Sequence, residues 1–108
     1  MSSPATTSQM GHFVFFTLKD HSAEACEALV AACRKYLSDH PGTVHFSVGT
    51  RAESYQRPVN DQEFDVALAL VFATEADHDR YQTSELHKQF IAEQSDGWAK
   101  VRVFDALS

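Results

Sequence analysis

The chain has 108 residues, 44% of them hydrophobic, and a net charge of -6. That length suits one domain, and that apolar content is ordinary for a folded chain and too high for a disordered one. The negative balance lacks the basic footprint that phosphate contacts need, which argues against nucleic acid, and no apolar run approaches the ~20 residues of a membrane helix.

Residues 1–11 are rich in Ser and Thr, without an early positive charge or an apolar stretch. They do not read as a secretory signal. The expectation is a flexible tail over 1–11 ahead of a domain over 12–108, with Met10 as a possible alternative start. His12 to Lys19 is a strand by its aromatic and β-branched content. Asp20-His21-Ser22 is a turn, Ser22 is a helix N-cap, and Glu24 lies in the first turn. Cys26, Leu29, Val30, Cys33 and Leu37 then recur at the three- and four-residue spacing of one helical face. The two cysteines sit ~10.5 Å apart along that helix, too far for a disulfide. Free packed thiols fit a reducing compartment, so a cytoplasmic location is expected.

His40-Pro41-Gly42 stops the helix. Thr43 to Arg51 is a second strand, with Val44, Phe46 and Val48 on one side and His45 and Ser47 on the other. A polar loop with Pro58 leads to a third, strongly apolar strand from Phe64 to Ala73. Thr74 caps the next helix, and Asp77 completes a weak capping box. The helical pattern falters at Thr83-Ser84-Glu85. Ser84 starts a fresh short helix with Leu86, His87, Phe90 and Ile91, which Asp96-Gly97 ends. Trp98 to Asp105 is the last strand. The order β-α-β-β-α-β, with its second helix broken, predicts an α+β ferredoxin-like domain: a four-stranded antiparallel sheet with helices on one face.

The strands are apolar on both sides. Val14, Phe16 and Leu18 share one face of the first strand, and Phe13 and Phe15 share the other. In the third strand Val66, Leu68, Leu70 and Phe72 oppose Ala67, Ala69, Val71 and Ala73. Two helices cover one face only. The other, roughly 450 Å² of flat sheet, calls for a partner, most simply a second copy in a two-fold homodimer.

Several stretches together resemble the stress-responsive dimeric α/β-barrel (Dabb) family. They are His12-Phe13-Val14-Phe15-Phe16-Thr17-Leu18-Lys19-Asp20, the Pro41-Gly42 turn before a strand ending in Gly49, and Phe64-Asp65-Val66-Ala67-Leu68. Ala76-Asp77 to Tyr81, then His87 and Phe90, and finally Val103-Phe104-Asp105 complete the set. The resemblance covers nearly all of Gly11 to Asp105. It implies a homodimer whose sheets close into a barrel, the dimeric α/β barrel. The family includes a plant polyketide cyclase branch, that of olivetolic acid cyclase, which works without cofactor and uses His and Tyr for an aldol-type ring closure. His12, Tyr81 and His87 match that branch. Ser84-Glu85 departs from it, because many members have His-Pro there.

His12, Tyr81 and His87 are therefore the candidate catalytic residues. Neutral histidine is a suitable general base near neutral pH. Trp98, Phe90 and Val14 are candidate ligand-binding residues. The expected ligand is a small apolar or aromatic molecule. Two alternatives are a structural dimer without turnover and a cofactor-free oxygenase of the antibiotic-biosynthesis monooxygenase type. No metal is expected. His78 is flanked by Asp77 and Asp79, but acids in a first helical turn are explained by the helix dipole, and no histidine pair has a standard ligand spacing. No phosphate loop or nucleophile elbow is present, and the resemblance implies that no cofactor is used.

Overall fold

The computed structural model describes residues 8–108. The proposed tail falls largely on residues 1–7, outside the described part. Eight elements follow in order: β1 (Met10–Leu18), α1 (Ala23–Leu37), β2 (Thr43–Thr50), β3 (Val66–Phe72), α2 (Glu75–Gln82), α3 (Glu85–Gln94), a 3-10 turn (Ser95–Gly97) and β4 (Trp98–Leu107). All strand pairs are antiparallel and the sheet order is β2-β3-β1-β4. This is the ferredoxin-like arrangement that the alternation of periods two and 3.6 predicts.

The local signals act as expected at the helix starts. The hydroxyls of Ser22, Thr74 and Ser84 accept from the backbone N–H of Ala25, Asp77 and His87, satisfying donors that a first helical turn leaves free. The break at Ser84 is real: the Thr83 and Ser84 amides donate back to the carbonyls of Arg80 and Tyr81, and α3 starts afresh.

The core is the layer between one sheet face and the helices. Val14, Phe16 and Leu18 meet Val66, Leu68, Leu70 and Phe72, and α1 closes over them with Cys26, Leu29, Val30, Cys33 and Leu37. Burial pushes the Cys33 thiol up to about 12 and raises Cys26 as well, so both are packing groups. α1 packs on β2, β3 and α3. β4 lies at the sheet edge beyond this cover, and its Val103 is 50% exposed. The opposite sheet face carries Phe13, Phe15, Ala67, Ala69 and Val71, all partly exposed, and Phe104, which is exposed. No helix among the described residues is long and apolar enough to cross a membrane.

Four details differ from the expectations. β1 starts at Met10, which is buried, so Met10 and Gly11 belong to the sheet and not to the tail. Val44 does not share a face with Phe46. The β2–β3 register shifts between Thr43 and His45, and this bulge leaves Val44 56% exposed. β3 starts at Val66 and ends at Phe72, because Phe64 and Asp65 still belong to the approach, while β4 runs on to Leu107. In α3 only Phe90 is buried, and Leu86 and Ile91 are exposed.

The helical layer is located by one turn. Gly42 has φ +85°, and a β-carbon there would lie 2.2 Å from Asp77 Cγ. Its carbonyl accepts from Ala73 N–H at 2.8 Å, while Asp77 accepts from the Thr74 hydroxyl and from Arg80. The glycine thus lets α2 start directly against the α1–β2 turn. Gly42→Ala should lower stability by at least ~1 kcal/mol, the cost of a left-handed conformation for a residue with a β-carbon plus the displacement of Asp77. Chemical denaturation of the two proteins measures it.

Candidate functional site

Where the helical layer stops short of β4, a cavity of about 290 Å³ remains. Its walls come from β1 (His12, Val14, Phe16), β4 (Trp98, Val101, Val103, Asp105), α2 (Tyr81, Gln82) and α3 (His87, Phe90, Ile91). All six residues singled out in the sequence lie on this wall. The lining is mostly apolar, with a few polar groups converging at one side, as in small-molecule sites generally.

Tyr81 is the centre of that polar side. It is almost fully buried, and four rings surround it: His12 at 5.7 Å between centroids, His40 at 4.9 Å, Phe72 at 5.0 Å and His87 at 4.9 Å. His40 is itself fixed, because its Nε2–H donates to the Tyr36 carbonyl at the end of α1. Tyr81 and His87 meet edge to face at an interplanar angle of 77°, through ring contact rather than a direct hydrogen bond. Burial raises the Tyr81 pKa far above its ordinary value, so the phenol stays protonated. Burial lowers the His87 pKa, and the positive charge that His12, His40 and His78 would carry lowers it further. His87 is therefore neutral near pH 7, with a lone pair available.

His12 is 4% exposed on an otherwise apolar strand face, an expensive place for a polar ring without a partner. The partner is Asp105. It stands directly opposite His12 in the β1–β4 register, and its Oδ1 lies 2.6 Å from His12 Nδ1. A carboxylate only accepts, so His12 Nδ1 carries the proton and Nε2 the lone pair. Burial lowers the His12 pKa, and the Asp105 hydrogen bond and charge offset part of that. His78 completes the group from above. It lies one turn before Tyr81 on α2, with Nε2 3.2 Å from His12 Nδ1 and 3.2 Å from the Gln82 amide nitrogen. Its Nδ1 faces Asp79 at 3.3 Å.

Phe90 and Trp98 form the floor. Phe16 packs on both, with centroids 6.3 Å and 5.0 Å away. The Trp98 indole N–H is buried without an acceptor among the described residues.

His78, Gln82 and Asp105 are the polar residues that sequence reasoning did not select. Asp105 is 93 residues from His12 and becomes its neighbour only through strand pairing. The one available signal for His78 was its three-residue spacing from Tyr81, which shares a helix face.

The family model described as the stress responsive A/B barrel domain (Dabb) matches residues 10–107. The chain belongs to that family. No curated protein matches it by sequence. Among solved structures it is similar to a Dabb family protein with a ferredoxin-like fold from Mesorhizobium loti, with TM-score 0.78, 23% identity and coverage of 94% of this chain and 98% of that one. A dimeric ferredoxin-like protein of unknown function from Thermobifida fusca has TM-score 0.78 at 16% identity, covering 94% and 92%. The hydroxynitrile lyase of Passiflora edulis has TM-score 0.74 at 20% identity, covering 93% of each chain. At these identities the likeness establishes the fold.

The lowered His87 pKa has a consequence for stability. The unfolded chain takes up this proton near pH 6.5 and the folded chain only at lower pH, so stability is complete above ~6.5 and falls as pH drops through that value. The urea midpoint of the natural chain should decline more between pH 7.5 and 5.5 than that of His87→Gln. Equal declines would mean that the ring titrates normally.

Proposed function

We propose that this Dabb domain works as a homodimer that binds a small apolar or aromatic carbonyl compound in the cavity and transfers a proton to or from it without a cofactor. One observation carries the reading: His12, Tyr81, His87, Val14, Phe90 and Trp98 share the wall of a single cavity. The protonation states fit this role. Neutral His87 would act as general base on an acidic C–H beside the carbonyl. The protonated Tyr81 hydroxyl would donate to the carbonyl oxygen, where negative charge develops. His12, its tautomer set by Asp105, would assist by hydrogen bonding. The unpaired Trp98 N–H offers a further donor to a ligand acceptor. The Dabb family match and the fold shared with a dimeric ferredoxin-like protein and with a hydroxynitrile lyase support the reading.

The homodimer rests on the uncovered sheet face. Phe15 packs edge to face with Phe64 at 5.2 Å and Phe104 at 5.7 Å there, and Val71 and Ala69 continue the patch. A second copy laid sheet to sheet removes this surface from water.

Native mass spectrometry with small aromatic ketones tests the cavity, and single-turnover assays on any bound ketone test the chemistry. His87→Ala should abolish turnover and Tyr81→Phe should lower it about 10²-fold, the usual cost of losing one such donor. Unchanged turnover in His87→Ala excludes the base role, and a domain that binds none of the ketones is better read as a structural dimer.

The assembly has its own check. Light scattering should give about twice the 12.1 kDa chain mass. Val71→Asp should shift it to the monomer, because the contact would bury an unpaired charge. A natural chain that scatters as a monomer overturns the dimer.

A further inference from the structure

Three side chains from three elements converge beside the cavity without any spacing pattern in the sequence. His12 comes from β1, His78 from α2 and Asp105 from β4, and one potential ligand atom from each lies within 4.8 Å of the other two. We propose that His12 Nδ1, His78 Nε2 and Asp105 Oδ1 form a binding site for a divalent transition-metal ion of the zinc type. The proposal does not rest on the acid–base reading: His87 and Tyr81 are not ligands, and His12, which assists in that reading when metal-free, is held by the ion instead when it is bound.

The donor set suits such an ion. Two imidazole nitrogens and one carboxylate oxygen make the three-ligand combination that zinc accepts while keeping another position open. The geometry is close to what the ion requires. Bonds of 2.0–2.1 Å at tetrahedral angles put ligand atoms ~3.3 Å apart. The three separations here are 2.6 Å for His12 to Asp105, 3.2 Å for His12 to His78 and 3.8 Å for His78 to Asp105. Only the His12–Asp105 hydrogen bond must open appreciably. Asp105 can supply that movement, since its side chain is 41% exposed while the two histidines are buried.

The surroundings support the same assignment. Ligating histidines commonly hold their second nitrogen against a carboxylate, and His78 Nδ1 faces Asp79 in this way at 3.3 Å. On binding, the His12 proton moves from Nδ1 to Nε2, so the ring ligates as a neutral group and no proton need leave the protein. The cavity borders His12, Gln82 and Asp105 and supplies both the entry path and room for a fourth ligand. That ligand is a water or the Gln82 carbonyl oxygen, whose amide group already stands 3.2 Å from His78 Nε2.

The test uses the full chain, stripped with chelator and titrated with Zn²⁺ by calorimetry and with Co²⁺ by visible absorption. One equivalent per chain is expected, with the intense cobalt bands of a low-coordinate site. His78→Gln and Asp105→Asn should each weaken Zn²⁺ binding by more than about tenfold, the scale seen even for outer-shell changes. His21→Gln, an exposed histidine paired with Asp65, should bind as the natural chain does. Circular dichroism of the metal-free variants confirms that they fold, and Asp105→Asn decides the matter if His78→Gln does not. Absence of binding, weak six-coordinate cobalt spectra, equal affinity in the ligand variants or loss in His21→Gln would each overturn the site.

Discussion

A single layer of helices laid over four strands leaves one edge strand short of cover, and the rest of the molecule follows from that shortfall. α1 spans β2 and β3 and packs on α3, so the core is tight where Phe16, Leu70 and Phe72 sit. At β4 the cover runs out. Val101 and Val103 face the helical side yet remain exposed, and the space beside them is the cavity. A longer unbroken second helix would lie differently over the sheet. The break at Ser84 instead ends α2 and starts α3 afresh, and Tyr81 from the first and Phe90 from the second both line the gap.

Within that gap polar groups are arranged by their need for partners. His12 would be costly on an apolar face, and Asp105 meets the cost from the neighbouring strand. His78 joins that group through His12, while His87 stands outside it, with its ring against Tyr81. The site thus has two parts with different electrostatics. One holds a carboxylate among histidines, and the other holds a neutral imidazole beside a protonated phenol.

Much of this was legible in the sequence, for identifiable reasons. Helix starts are local, so Ser22, Thr74 and Ser84 announced theirs through hydroxyls that bond within three residues. The alternation in β3 and the Pro41-Gly42 stop were equally local. His12, Tyr81 and His87 were found from family resemblance and position. Contacts across the chain were not legible. Asp105 gains its meaning from strand register, and nothing local marks His78, because its sequence neighbours Asp77 and Asp79 have the ordinary role of first-turn acids. Asp77 does serve the cap, while Asp79 faces His78. The bulge at Val44 broke the expected alternation because a single unpaired residue leaves no mark on the apolar pattern.

That bulge also bears on how copies of the domain avoid one another. β2 is an outer strand of the sheet, and its free edge is a row of backbone donors and acceptors that another chain could extend. The extra residue at Val44 throws this row out of step at its start and bends it away from a straight neighbour. Fibril-like strand addition needs an even, flat edge, and this one is uneven where an incoming strand would have to begin. The domain's own backbone thus disfavours open-ended aggregation through β2, a safeguard for a chain that carries so many aromatic residues on an uncovered face.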